Sequence, residues 1–271
     1  MQRLDVERRP VDPAAYRGNQ ADVRHVAQLV EGPAVVHVDG DPEPGVVYLE
    51  LSERQPAAVA ALRSLPIGEA KRTSGMYSRS ETFGYMPKAH LRGAEVCMGA
   101  AMQRNSPAAH AAIAGLAGLV EAEYRRFNAS RYALHESIVA QVLPDWRLDG
   151  GVFTSGIVNK NNRLPYHYDA GNSAACWSNM LVFRAGCTGG ELVCPELGLA
   201  FRLAAHSLLM FDGQAILHVV APFRMVRPDG YRYSVVFYSL RQMWRCEPPE
   251  QSAQLQAQRR TARERRRFAT P

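Results

Sequence analysis

The sequence contains no C-x-x-C pair, and its five cysteines, Cys97, Cys176, Cys187, Cys194 and Cys246, are odd in number. That pattern speaks against a cysteine zinc site and against a disulfide framework, so free and mostly buried thiols are expected. No uninterrupted apolar run approaches the length of a membrane span, and the chain is charged from Arg3 to Arg9. A signal peptide and a transmembrane helix are therefore not expected, and the default location is the cytoplasm. The body of the chain also lacks net charge. Residues 251–271 hold six arginines against one glutamate, which is five of the six net positive charges of the whole sequence.

Within those bounds, 271 residues with 46% hydrophobic content can bury a sizeable core. Three regions are expected: a mixed N-terminal extension over 1–105, a helix plus catalytic core over 106–246, and a basic tail over 247–271. The extension carries strand-like runs at Ala34–Val38 and Val46–Leu49 and a helix over Pro56–Leu65. Residues 71–95 mix Lys71, Arg72, Arg79, Lys88 and Arg92 with Tyr77, Phe83 and Tyr85. Such a mixture suits a nucleic-acid groove and equally an ordinary surface loop. Arg259, Arg260 and their neighbours in the tail suit phosphate contacts, or a solvated and partly disordered terminus.

The clearest helix begins at Ser106-Pro107, with serine at the N-cap and proline at the first helical position, and runs to Tyr124. Its apolar side, Ile113, Leu116, Val120 and Tyr124, is expected to pack on a sheet, with His110 in a structural role. After Asp145 short strand-like runs alternate with Gly-Asn, Gly-Gly and Asp-Gly turns. The spacing predicts an α+β protein whose core is a jelly-roll, or double-stranded β-helix, of two facing antiparallel sheets buttressed by helices.

The chemistry concentrates in His167-Tyr168-Asp169 and His218. On a strand, side chains at i and i+2 share a face, so His167 and Asp169 can point at one ion, with His218 arriving from a second strand. Two histidines and one carboxylate leave half of an iron(II) coordination sphere open. The triplet by itself also arises by chance. The run Tyr231–Tyr238 adds weight, because Arg232, Ser234, Val236 and Tyr238 share one face of a strand that is largely apolar on both sides. An arginine there needs a partner, either a bound carboxylate or an internal Asp or Glu.

The order H-x-D…H…R-x-S resembles the iron(II)/2-oxoglutarate-dependent dioxygenases. The finer pattern is similar to the ten-eleven-translocation/J-binding-protein branch, which oxidises the methyl group of 5-methylpyrimidines in DNA and has bacterial and phage members. The matching residues are His167–Asn172, Gly189-Gly190-Glu191-Leu192, Phe211-Asp212-Gly213-Gln214 ahead of His218, and Arg232-Tyr233-Ser234 followed by Phe237-Tyr238. They cover roughly residues 150–245, with weaker similarity at Thr82–Pro87.

The resemblance implies Fe(II) on His167, Asp169 and His218, and 2-oxoglutarate held by Arg232 and Ser234, with O2 as co-substrate. It also implies DNA containing a 5-methylpyrimidine, taken up by base flipping, as the partner, with 5-methylcytosine giving 5-hydroxymethylcytosine. Asn172 corresponds to the residue that hydrogen-bonds the flipped base and Tyr238 to the one that stacks on it; by themselves they also read as a turn residue and a core aromatic. Asn159 is a further cofactor-side candidate and Lys160 a pocket-rim cation. The sequence departs from the animal enzymes at Leu240, where they carry a histidine, and lacks their cysteine-rich zinc-binding region. Thymine in DNA, a free nucleotide or small metabolite, and a metal-binding cupin-like module without oxygen chemistry remain open alternatives.

Overall fold

A computed structural model describes residues 1–21, 28–71, 77–88 and 96–268. From the N-terminus, β1 (Gln2–Val6) and the short α1 (Pro13–Tyr16) lead to β2 (Gln28–Glu31), β3 (Ala34–Val38) and β4 (Val46–Glu50). Helix α2 (Pro56–Ser64) precedes β5 (Glu69–Lys71), β6 (Tyr77–Pro87) and β7 (Cys97–Gly99). Next come α3 (Ala101–Asn105), α4 (Pro107–Ala114), α5 (Ala117–Phe127) and α6 (Ala129–Val139). The remaining strands are β8 (Ser155–Lys160), β9 (Ser178–Ala185), β10 (Cys187–Gly189), β11 (Leu192–Cys194) and β12 (Leu199–Arg202). They continue with β13 (His206–Phe211), β14 (Val219–Val220), β15 (Phe223–Met225) and β16 (Tyr231–Tyr238), and the last element is α7 (Pro249–Phe268).

Two sheets face each other. The larger runs β1-β3-β4-β13-β9-β16-β8-β6-β5, with β7 on β6; the smaller runs β14-β11-β12-β2. After β8 the chain alternates between them. The segment carrying His167 bridges to His218 beside β14, β9 returns to the large sheet, β11 and β12 form a hairpin in the small one, and β13 returns again. The segment through His218 and β14 then lies in the small sheet, and β16 closes between β8 and β9. This alternation is the winding of a double-stranded β-helix. Strands from the first 105 residues extend both sheets: β4 lies on β13, β6 on β8, and β2 runs parallel to β12.

The two-residue period of the strands sorts side chains into two cores. Leu181 and Phe183, Leu208 and Met210, and Tyr233, Val235 and Phe237 face the helices and meet Leu62, Ile113, Leu116, Val120 and Tyr124. Met180 and Val182, Leu209 and Phe211 face inward and meet Leu192, Leu199 and Phe201 of the small sheet. Each such large side chain contributes about 1.5–3 kcal/mol on burial. The helical layer therefore covers the outer face of the large sheet, while its inner face packs against the small sheet.

Several expectations need correction. The long helix from Ser106 is two helices, α4 and α5, broken at Gly115-Leu116, where glycine is a weak helix former. Pro107 opens the first of them as expected, although the Ser106 side chain makes no cap hydrogen bond. His110 is structural as expected: its Nε2 accepts from the Gly84 amide at 3.1 Å. The 165–169 and 215–220 runs are mostly irregular, with only an isolated His167–His218 bridge and the two-residue β14. The cysteines are not all free. Cys97 and Cys246 form a disulfide across 149 residues, with Cα atoms 5.4 Å apart, because β7 packs against the turn that follows β16. Cys176 and Cys194 are buried thiols and Cys187 is half-buried. The basic tail is helical from Pro249 and docked at its start: Ser252 is buried, and Gln256 Nε2 donates to Cys97 O at 3.2 Å. No helix among the described residues is long and apolar enough to cross a membrane.

Candidate metal centre and anion pocket

His167, Asp169 and His218 converge: one donor atom from each lies within 4.8 Å of the others. Asp169 Oδ1 is 3.8 Å from His167 Nε2 and 3.9 Å from His218 Nε2, separations that one ion bonded at roughly 2.1 Å to each donor can span. The convergence is a product of backbone pairing. The His167 amide donates to His218 O and the His218 amide to His167 O, both at 3.1 Å, so the two imidazoles stand side by side with centroids 4.3 Å apart. Asp169 N donates to Gly213 O at 2.8 Å, which binds the ligand loop to the Asp-Gly turn before His218.

The protonation pattern suits metal ligation. His167 Nδ1 lies 2.8 Å from Pro165 O and His218 Nδ1 2.9 Å from Ile216 O. A carbonyl only accepts, so each Nδ1 carries the proton and each Nε2 offers its lone pair to the centre. Ser178 Oγ donates to Asp169 Oδ2 at 2.6 Å, leaving Oδ1 to face the two imidazoles. A Cβ at Gly213 would overlap both the Asp169 carboxylate and the Ser178 hydroxyl, so this turn requires a residue without a side chain.

Behind the loop, Tyr168 OH donates to Glu196 Oε1 at 2.5 Å, and Arg8 Nη1 lies 3.6 Å from Glu196 Oε2. Burial and the neighbouring carboxylate push the Tyr168 hydroxyl up to about 12, so it remains a donor. Ser178, Glu196 and Arg8 were not singled out in the sequence. They sit outside any motif and acquire their partners only when the sheets fold together.

Arg232 is 1% exposed and lies on β16 with its side chain on the inner face, beside Ser234. Its Nη2 donates to Gly190 O at 3.1 Å, whereas its Nε has no partner. Among the described residues no carboxylate pairs with it, so the internal salt bridge that the sequence allowed is not the one formed. Burial, with Arg184 nearby, pushes its pKa down to about 10. Gly189 and Gly190, both at positive φ, bring the turn close against the guanidinium; a Cβ at Gly190 would lie 3.0 Å from Arg232 Nε. Asn159 on β8 is opposite Ser234 and donates to its hydroxyl at 3.2 Å, while Asn162 donates to Asn159 Oδ1 at 3.2 Å.

The remaining candidates are placed less uniformly. Asn172 is buried and its Nδ2 donates to Ser178 Oγ at 3.2 Å, so it touches the ligand network. Tyr238 ends β16, partly buried. The cations are spread over separate elements. Arg79 is exposed on β6 and Lys160 is half-buried at the end of β8, while Arg259 and Arg260 are on α7, where Arg260 pairs with Glu264 at 3.0 Å. Arg72 and Arg92 lie outside the described residues, as does the side chain of Lys71.

No family profile matches the sequence, and no curated protein matches it. Solved structures do. NgTET1 in complex with 5mC DNA aligns over 85% of this chain and 86% of its own, with a TM-score of 0.60 at 14% identity. An oxidoreductase of the 2OG-Fe(II) oxygenase family from Burkholderia pseudomallei aligns over 72% of this chain and 84% of its own, with a TM-score of 0.40 and 19% identity. A bsmA homolog from Methylobium petroleophilum PM1 aligns over 72% and 89%, with a TM-score of 0.31 and 13% identity. The likeness is one of fold and rests on the first of these.

Proposed function

We propose that the chain is an Fe(II)- and 2-oxoglutarate-dependent dioxygenase acting on the methyl group of a 5-methylpyrimidine in DNA, with 5-methylcytosine the favoured base. The observation that carries the reading is that a two-histidine, one-carboxylate cluster occurs together with a buried arginine that has an unpartnered Nε and no carboxylate partner among the described residues. A closed cupin-like module would have no use for such an arginine. A dicarboxylate co-substrate satisfies it through charge-assisted hydrogen bonds.

His167, Asp169 and His218 would hold the iron, a hard-to-borderline ion suited to two imidazoles and a carboxylate with adjacent sites open. When bound, iron with 2-oxoglutarate and O2 supplies hydroxylation of an unactivated C–H bond, with succinate and carbon dioxide as by-products. The protein's own part is positional. Pro165 O and Ile216 O hold the imidazole tautomers, Ser178 holds the carboxylate, and Gly213 leaves room for it. Arg232 and Ser234 receive the far carboxylate of the keto acid, with Asn159 behind the serine. Gly190, without a side chain, lets the turn approach the guanidinium closely.

The DNA reading is supported by NgTET1, which shares the fold and was solved with 5mC DNA. It is supported further by the Asn172 and Tyr238 positions and by the arginines of α7. A methyl inside a duplex is out of reach of an enclosed centre, so the base must be extruded at a cost of a few kcal/mol. The near-neutral body of the chain favours a second reading with the same chemistry on a free nucleotide or small metabolite. Incubation with methylated duplex, iron, ascorbate and 2-oxoglutarate, followed by mass spectrometry of the nucleosides, tests the proposal. 5-Hydroxymethylcytosine with stoichiometric succinate is expected. Succinate without a modified nucleoside would overturn the DNA substrate and keep the oxygenase.

A further inference from the structure

Of the three tryptophans, Trp146 and Trp177 are 5% and 1% exposed, whereas Trp244 is 53% exposed. Among the described side chains it is the one exposed aromatic, and the other described rings are wholly or partly buried. We propose that Trp244, flanked by Arg241 and Arg245, is a stacking platform for a base of DNA on the segment tied to the metal loop. This proposal rests on the DNA reading above.

Three observations carry it. The first is location: the strand that supplies Arg232, Ser234 and Tyr238 runs directly into this segment, which is tied to the metal loop. Arg241 N donates to Gly171 O at 3.0 Å, Arg241 Nε donates to Asn172 O at 3.4 Å, and Asn172 bridges to Leu240. Leu240 and Arg241 are thus held against the backbone two and three positions beyond Asp169, and Trp244 follows three residues later.

The second is rigidity. Trp244 sits on a one-turn 3-10 helix, Met243–Arg245, whose Met243 is fully buried. The next residue, Cys246, is bonded to Cys97, and Trp146 Nε1 donates to Glu247 O at 2.8 Å from below. An exposed indole on a fixed turn loses little freedom when something stacks on it.

The third is charge. The Arg245 guanidinium lies 4.7 Å from the indole centroid, and both Arg241 and Arg245 are exposed with no carboxylate pairing among the described residues. Three residues past Cys246 the arginine-bearing α7 begins. An indole presented between cations and continuous with a basic helix matches a polyanion carrying flat bases; it does not match an apolar protein surface, which would leave those charges desolvated.

The test uses the full chain and a fluorescein-labelled duplex with one 5-methylcytosine, read by anisotropy, alongside acrylamide quenching of tryptophan emission. Trp244→Ala should weaken binding roughly tenfold, and Trp244→Phe, which keeps a ring, by much less. In the wild type, duplex should shield the acrylamide-accessible tryptophan, a readout that needs no variant to fold. If wild type binds duplex while Trp244 stays accessible and Trp244→Ala binds equally well, the platform is refuted and the DNA substrate stands. If wild type binds no duplex at all, both fall together. Shielding by a protein partner but not by DNA would also overturn it.

Discussion

Ser178 Oγ donates a 2.6 Å hydrogen bond to Asp169 Oδ2 and accepts one of 3.2 Å from Asn172 Nδ2. The residue proposed to recognise the base is therefore one hydroxyl away from a residue proposed to hold the iron. Ser178→Ala removes that hydroxyl, frees the carboxylate to rotate, and should weaken metal affinity about 10–100-fold. Anaerobic titration with Mn(II), followed by electron paramagnetic resonance, measures it; an unchanged affinity would show that the backbone alone orients Asp169. Gly213→Ala should be at least as damaging, because its methyl group occupies the same space.

Arg232→Met separates a functional arginine from a structural one. Without co-substrate it removes a buried charge that has no anionic partner, so apo stability should stay level or rise by about 1–3 kcal/mol. Affinity for 2-oxoglutarate should fall about 100-fold or more, as expected for loss of a charge-assisted pair of hydrogen bonds. Urea denaturation and isothermal titration read the two effects. A large loss of apo stability would mean that Arg232 serves the fold.

His135 gives a pH dependence whose sign follows from its surroundings. It is fully buried against Tyr124 and Phe153, its Nε2 meets Ser239 Oγ at 2.8 Å, and burial pushes its pKa down to about 4. The unfolded chain takes up this proton near pH 6.5, while the folded chain resists until about pH 4. The stabilisation is therefore fully present above pH 6.5 and is lost as pH falls through that window, in total about 3 kcal/mol. Urea unfolding of the metal-free protein between pH 7.5 and 4.5 should show a shallower slope for His135→Gln than for wild type. Equal slopes would falsify the assignment.

Truncation after Gln258 removes residues 259–271, with six arginines and one glutamate, and keeps Ser252 and Gln256, which dock the helix. The melting temperature should change little, and the slope of log Kd against log salt for duplex binding should fall by several units. An unchanged slope would place the phosphate contacts elsewhere, with Arg79 and Lys160 the next candidates.

The parts of the site that were legible in the sequence are those set by local backbone rules. The alternation along Tyr231–Tyr238 placed Arg232 and Ser234 on one face, and the structure keeps them there, opposite Tyr233, Val235 and Phe237. His167, Asp169 and His218 were picked out by type and order, and they meet, although through an isolated bridge rather than two regular strands. The Cys97–Cys246 disulfide was missed because spacing carries no sign of a contact 149 residues apart. Trp244 carries no signal in the sequence, since nothing local distinguishes an exposed indole from a buried one.

Residue types and periodicity by themselves determined which donors this protein offers an ion, which strand carries its arginine, and where turns of glycine interrupt the sheets. Tertiary structure alone decided which oxygen of Asp169 is left free, that Arg232 lies buried without a carboxylate, and that the arginine-rich end is a helix fastened to β7. The physical reason is one of range. Alternation and turn formation are properties of neighbouring residues, whereas burial and hydrogen bonding are properties of pairs, and these pairs come from segments that only the two wound sheets bring together.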